Sequence, residues 1–141
     1  MIAYFDTSSL VPLLIAEPSS TTCSRLWNEA TRTVSSRLIY PEARAALAQA
    51  ERMGRITANA LRKAVDDLDS ITDEIDYLEV TSSLAQSAGQ LAEAHALRGY
   101  DAVHLASAAV VNDAEVVLVT GDQHLGAAAR DLGISVAVTT G

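Results

Sequence analysis

The stretch VVLVTGD at residues 116–122 decides the fold, because an apolar run passes through one glycine into an aspartate. Val116–Thr120 has the length and β-branched composition of a buried strand. Asp122 then opens a segment with helical spacing that closes at Gly133, and Asp is favoured at helix N-termini. A buried strand that leads directly into a helix is typical of α/β proteins.

The same alternation extends outward from this stretch along the chain. No internal repeat or Pro/Gly-rich linker interrupts it, so we expect one domain over residues 1–141. Gly54 and Gly99 are predicted to close the helices that precede them. Strands that alternate with helices predict a mainly parallel sheet of about five strands, flanked by helices on both faces. The predicted strands are Ile2–Phe5, Thr33–Ser36, Ile75–Val80, Val116–Thr120 and Ile134–Val138, and the predicted helices are Leu38–Met53, Thr57–Ile71, Ser83–Leu97, Asp101–Val111 and Asp122–Leu132.

The composition predicts a cytoplasmic protein with an ordinary core. Hydrophobic residues make up 49% of the chain, which is enough to build one core. Cys23 is the only cysteine, so an internal disulfide cannot form, and a buried thiol in a reducing compartment is expected. No basic region precedes the apolar N-terminal run, and no apolar stretch approaches the ~20 residues of a spanning helix. We therefore expect no membrane association.

The net charge of −8 argues against a protein that coats nucleic acid with a general basic surface. It does not exclude a nuclease, because a catalytic pocket that collects carboxylates for cations adds negative charge locally. The acidic stretch at residues 66–79 has no base within it and is more typical of a solvated helix end than of a site.

Three aspartates stand where an open α/β sheet places its ligands, beyond the carboxyl ends of the strands. Asp6 directly follows the first strand, and Asp122 follows Val116–Thr120 after one glycine. Asp101 begins a helix after Gly99 and Tyr100. Each aspartate taken alone has the alternative role of a helix cap, in which its oxygen accepts free backbone N–H groups.

Glu42 adds a fourth acid near the start of a helix, where a single glutamate is ordinary first-turn chemistry. As a set, however, neighbouring carboxylates repel one another unless they are protonated or neutralised. Mg²⁺ takes oxygen ligands at ~2.0–2.1 Å and retains waters, so two to four carboxylates can hold one or two ions. Mn²⁺ is served by the same ligands. Such ions activate water and bind a scissile phosphate, which allows phosphodiester hydrolysis without a protein nucleophile.

Four motifs containing these acids resemble the PIN-domain nucleases, and specifically the VapC-type toxins of bacterial toxin–antitoxin pairs. Their order and spacing cover almost the whole chain, and the third motif is the most specific. The motifs are Tyr4-Phe5-Asp6-Thr7-Ser8, Pro41-Glu42-Ala43-Arg44, Gly99-Tyr100-Asp101-Ala102-Val103-His104-Leu105-Ala106-Ser107-Ala108 and Val119-Thr120-Gly121-Asp122.

The resemblance implies roles for individual residues in an acidic pocket at the carboxyl edge of a PIN-like sheet. Asp6 and Asp101 match the principal Mg²⁺ or Mn²⁺ ligands. Glu42 and Asp122 match the acids that complete the pocket and help to position metal or water. The hydroxyl positions that support these acids are matched by Ser8 and Thr120.

The resemblance also implies a substrate and partners. VapC-type toxins are endoribonucleases that cut RNA, often tRNA or rRNA, and thereby arrest translation. A cognate VapB-type antitoxin wraps the toxin with its C-terminal segment and frequently places a basic side chain in the acidic pocket. The toxin commonly forms a homodimer.

Several other residues have two possible roles. His104 follows Asp101 by three residues on nearly the same helix face, which permits a site role, although packing or support is the more ordinary interpretation. Trp27 suits either an antitoxin or dimer groove or, more ordinarily, the edge of the core. The candidate contacts for RNA phosphates are Arg25, Arg44 and Arg98.

Two other classes of function remain alternatives. A dehalogenase-type phosphatase would need a second Asp where Ser8 stands, and a receiver would need a Lys after a late strand, whereas the only lysine is Lys63 in a predicted helix. A non-catalytic binding module with the same fold is not removed by the sequence. Metal-dependent RNA cleavage that disappears in Asp6→Ala discriminates between that module and a nuclease.

Overall fold

The computed structural model describes residues 1–111 and 115–139. Its strands are β1 (Ile2–Phe5), β2 (Arg32–Ser36), β3 (Ile75–Leu78), β4 (Val116–Thr120) and β5 (Ser135–Val138). They form one sheet in the order β3-β2-β1-β4-β5, and every neighbouring pair is parallel. The predicted parallel α/β fold is confirmed.

Helices connect the strands, as parallel neighbours require. None of the helices in the described residues has the length and apolar composition needed to span a bilayer. The helices are α1 (Thr7–Leu10), α2 (Ser20–Glu29), α3 (Ile39–Arg52), α4 (Ala58–Ile71), α5 (Ser82–His95), α6 (Gly99–Val111) and α7 (Gln123–Asp131).

Both faces of the sheet are covered. Successive side chains of β1 point to opposite faces. Tyr4 packs in one cluster with Leu105 of α6 and Leu125 of α7, whereas Phe5 packs in another with Leu26 of α2. Burial on both sides explains why β1 is a continuous apolar run and not an alternating one.

A third cluster fixes α3 beside the end of β1. Leu10 of α1 is fully buried with Ile39 and Leu47 of α3, and Leu68 of α4 closes the cluster from the other side. Burial of each such side chain contributes about 1.5–3 kcal/mol. The first turn of α3 is thereby held near the residues that follow β1.

The sheet has one switch point, where the strand order reverses. The chain proceeds from β1 outward to β2 and β3, and then returns to the other side of β1 for β4 and β5. Ligands of such sheets bind outside the carboxyl ends of the strands at the switch point. Asp6 and Asp122 follow the two strands that meet there, β1 and β4.

Three boundaries differ by two residues from the sequence-based prediction. The strand predicted over Ile75–Val80 ends at Leu78, because Leu78 pairs with Ser36, the last residue of β2. The helix predicted to close at Gly99 ends instead at His95.

The end of α5 is made by Ala96 in the left-handed conformation, with φ of 52°. Gly99, predicted to close that helix, begins α6. Asp101 therefore lies inside the first turn of α6. The prediction that it begins this helix is wrong.

Candidate metal centre

Asp6 lies at the centre of the switch point and is only 3% exposed. It is the N-cap of α1, and its Oδ1 accepts hydrogen bonds from the Ser9 backbone N–H at 3.1 Å and from Ser9 Oγ at 3.1 Å. Burial raises the pKa of the Asp6 carboxyl, and the charge of His104 and the nearby hydroxyls oppose that shift. Capping and a role in the site are therefore compatible for this residue.

Two hydroxyls hold the Asp6 carboxylate between β1 and β4. Ser8 Oγ donates to Oδ1 at 2.7 Å, and Thr120 Oγ1 donates to Oδ2 at 2.5 Å. The same hydroxyls accept from the chain beyond β4, because Gly121 N–H donates to Ser8 Oγ at 2.7 Å and Asp122 N–H to Thr120 Oγ1 at 3.0 Å. Ser8 and Thr120 thus fix the position of Asp6 relative to the start of α7.

Asp122 is the N-cap of α7. Its Oδ1 accepts from the backbone N–H groups of His124 at 2.9 Å and Leu125 at 3.1 Å. No described residue donates to Oδ2, so one carboxylate oxygen is left for a ligand. Asp122 is therefore a helix cap, as the alternative predicted, and its Oδ2 is still available to a ligand.

Asp101 is half-buried in the first turn of α6, and its carboxyl is not a cap. Its pKa is raised, first by burial and then by the negative charges of Asp122 and Asp6, with a smaller contribution from Glu42. Carboxylates that raise one another's pKa are close enough to repel, which is the electrostatic condition that a cation relieves.

Glu42 enters the site through a buried chain of hydrogen bonds. Its Oε1 lies 2.7 Å from His104 Nε2, and His104 Nδ1 lies 2.8 Å from Tyr4 Oη. His104 is 1% exposed, and the Tyr4 ring meets its ring edge-on with centroids 5.8 Å apart. Burial raises the pKa of Tyr4, so its phenol stays neutral and orients the imidazole that contacts Glu42.

His104 was predicted to serve packing or support, and it does contact a predicted site residue directly. The sequence signal was its position three residues after Asp101, on the same face of α6. Trp27 packs edge-on against Phe5, with ring centroids 5.3 Å apart, at the edge of the core.

All four predicted acids line one open cleft of about 710 Å³. Across residues 1–111 and 115–139, no three acidic, His or Cys side chains surround a single point as a finished metal site. The donor set nevertheless suits a hard divalent cation, because it is made of carboxylate oxygens that repel one another when no ion is bound. The lining also includes His104, Ser8, Glu17 and Arg55.

The arginines predicted to contact RNA phosphates do not line the cleft. Arg25 pairs with Glu29 at 3.4 Å along α2, and Arg44 donates to Tyr40 Oη at 2.9 Å. Neither they nor Arg98 line the cleft, whereas Arg55 does. Arg55 was missed because nothing in its local sequence indicates that the turn after α3 reaches the site.

Known proteins resemble this chain over nearly its full length. A family model of the PIN domain matches residues 3–131. Ribonuclease VapC45 of Mycobacterium tuberculosis (strain CDC 1551 / Oshkosh) is 44% identical over 136 residues, which is 96% of this chain and 94% of the relative. The predicted resemblance to VapC-type PIN-domain ribonucleases is confirmed.

Solved structures share the fold at lower identity. VapC20 of Mycobacterium tuberculosis, a Sarcin-Ricin loop cleaving toxin, matches with a TM-score of 0.69 and 19% identity over 89% of this chain and 94% of that one. VapBC-5 from the same organism, a member of the VapBC family of toxin–antitoxin systems, matches with a TM-score of 0.61 and 20% identity over 97% and 96%.

Proposed function

Since the chain belongs to the PIN domain family, we propose that it is a Mg²⁺-dependent endoribonuclease and the toxin of a toxin–antitoxin pair. The observation that carries this proposal is the meeting of Asp6, Glu42, Asp101 and Asp122 on one cleft at the switch point of the sheet. Acids from separate elements on one cleft suit metal-assisted hydrolysis of a phosphodiester.

Asp6 and Asp101 are the residues we assign to holding the ion. A bound Mg²⁺ or Mn²⁺ ion would supply a water of lowered pKa and electrostatic stabilisation of the phosphate. Asp6 Oδ2 accepts one hydrogen bond, from Thr120, and a carboxylate oxygen has room for a second partner. Asp122 offers the oxygen that its helix cap does not use.

Glu42 is assigned to positioning metal or water. His104 holds its Oε1, so the second oxygen, Oε2, is the one left to accept a hydrogen bond from a water in the cleft. Tyr4 fixes the other side of the imidazole, and both rings are buried in the core. The orientation of Glu42 is thereby set by the fold before substrate binds.

We propose tRNA or rRNA as the substrate and inhibition of translation as the consequence. The support is analogy: VapC20, which shares the fold, is a Sarcin-Ricin loop cleaving toxin. The relative of higher sequence identity is named a ribonuclease as well.

We further propose a VapB-type antitoxin as partner, because a neighbour in fold, VapBC-5, belongs to a toxin–antitoxin family. A homodimer is proposed as the assembly on the family resemblance alone. An antitoxin that masks the acidic cleft should abolish cleavage when it saturates the toxin. Undiminished cleavage by the saturated complex would count against this mode of inhibition.

The proposed activity is tested by incubating total cellular RNA with purified protein, in Mg²⁺ and in EDTA, and mapping the new ends. Wild type with Mg²⁺ should give discrete cuts, and Asp6→Ala should give none. Asp66→Ala is the matched control, because it removes an exposed carboxylate of α4 that does not line the cleft. Cuts by Asp6→Ala equal to those of wild type would rule out this site, and no cuts by any protein would favour a non-catalytic binding module.

A further inference from the structure

Arg55 is the only Arg or Lys side chain among the described residues that line the cleft. The cleft otherwise has five acids on its walls: Glu17 and the four predicted site residues. A polyanionic substrate must enter this acidic cleft in a chain whose net charge is −8. The positive charge of Arg55 on this acidic cleft is therefore a candidate contact for the substrate.

The backbone around Arg55 is fixed by the end of α3. Gly54 has φ of 75°, the left-handed conformation that glycine adopts without strain. Gly54 N–H donates to Glu51 O at 2.9 Å, and Arg55 N–H donates to Ala50 O at 2.9 Å. These two bonds form a Schellman motif, so Arg55 leaves the helix in a defined direction.

The Arg55 side chain is held by a contact that a substrate can replace. Its Nη2 donates to Glu17 Oε1, and the two side chains are 48% and 22% exposed, respectively. An ion pair this open to solvent contributes little to stability. A guanidinium has five N–H donors in a planar fork that suits a phosphate, and this pair uses one of them.

Arg55 is separated from the acidic site along α3, so we expect its partner to be a phosphate other than the scissile one. Glu42 lies in the first turn of α3, and Arg52 is its last residue. Ten residues of α-helix rise about 15 Å, so the acidic site and Arg55 stand at opposite ends of the same helix. The cleft is lined along this length by Glu42, Ala46 and Arg55.

We infer that Arg55 and Glu17 form a phosphate subsite. In it, Arg55 binds a backbone phosphate of single-stranded RNA away from the cut, and the Glu17 carboxylate occupies the position of that phosphate when RNA is absent. This inference rests on the proposed RNA substrate.

The test measures binding of a fluorescein-labelled pool of short single-stranded RNA of mixed sequence, with Ca²⁺ in place of Mg²⁺. Fluorescence anisotropy gives Kd over a range of about 50 to 200 mM salt. Arg55→Gln should bind about five- to tenfold more weakly than wild type. Its plot of log Kd against log salt should be shallower by about 0.7, the value for one lost phosphate contact on a single strand.

Three further variants separate this contact from general charge and from folding. Arg52→Gln removes the same charge from an exposed residue of α3 outside the cleft, and should retain the affinity and salt slope of wild type. Arg55→Lys should restore the slope but only part of the affinity, because an ammonium lacks the planar fork. Glu17→Gln should bind about two- to threefold more tightly, since it removes the competing anion.

Identical Kd and salt slope for Arg55→Gln and Arg52→Gln would overturn the inference, as would no binding of the pool by wild type. Its failure is distinguishable from failure of the nuclease proposal. A wild-type protein that binds the pool through Arg55 and cuts no RNA would retain the phosphate subsite and remove the catalytic role.

Discussion

At the scale of single residues, Asp101 shows how placing several carboxylates close together lowers the stability of the metal-free protein at neutral pH. Its pKa in the folded protein is raised by burial and by the charges of Asp122 and Asp6. The folded state therefore binds the Asp101 proton more tightly than the unfolded state does. The resulting stability is present below the ordinary Asp pKa of about 3.9 and is lost as pH rises through the raised value.

Asp101→Asn should accordingly stabilise the metal-free protein at neutral pH by up to about 1 kcal/mol, because the amide carries no charge to be repelled. The advantage over wild type should shrink as pH falls towards about 4, where the carboxyl gains its proton. Thermal unfolding in EDTA at both pH values measures it, with Asp66→Asn as the exposed control. A lower Tm for Asp101→Asn at neutral pH would make Asp101 a structural residue.

The Tyr4 hydroxyl offers a second test at this scale. Tyr4→Phe removes the buried partner of His104 Nδ1 and should cost about 1 kcal/mol of stability. With Glu42 less firmly oriented, kcat should fall about threefold or more while KM stays unchanged. Urea unfolding and steady-state cleavage measure the two effects. Tyr77→Phe on β3, outside the cleft, is the control, and equal kcat for both variants would remove the orienting role.

At the scale of elements, the C-terminus of α5 has a strained backbone conformation that a substitution to glycine can relieve. Ala96 is exposed and adopts φ of 52°, which is unfavourable for any residue with a Cβ atom. Ala96→Gly should raise the free energy of unfolding by about 0.5–1 kcal/mol. Ala85→Gly, in the interior of the same helix, should lower it by about 1 kcal/mol. Urea denaturation that gives the same sign for both variants would contradict this account of the helix end.

The long helices with strong periodicity were predictable, whereas α1 and α2 were not. The helix predicted at Thr57–Ile71 forms as α4, with the Thr57 side chain accepting from Ala60 N–H at 3.0 Å. By contrast, α1 has four residues, too few for a helical period to show. In α2 only Cys23 and Leu26 are buried, so its helix depends on packing against the sheet more than on its own pattern.

At the scale of the whole molecule, the order of the strands explains why the predicted acids meet. Asp6 and Asp122 follow neighbouring parallel strands, and that proximity could be inferred from where each strand ends. Asp101 and Glu42 lie in the first turns of helices, so the sequence made them candidates, and the family resemblance strengthened their assignment to the same pocket. Arg55 was beyond prediction, because its location depends on how α3 packs across the sheet.

The central claim is that these acids bind a divalent cation, and titration with Mn²⁺ tests it most directly. The signal of free Mn²⁺ in electron paramagnetic resonance measures binding to wild type, Asp101→Asn and Asp66→Asn at neutral pH. Wild type and Asp66→Asn should bind Mn²⁺ saturably and alike, and Asp101→Asn should bind it at least about tenfold more weakly, a loss of about 1.4 kcal/mol. Equal binding by all three proteins, or no binding by wild type, would contradict the claim.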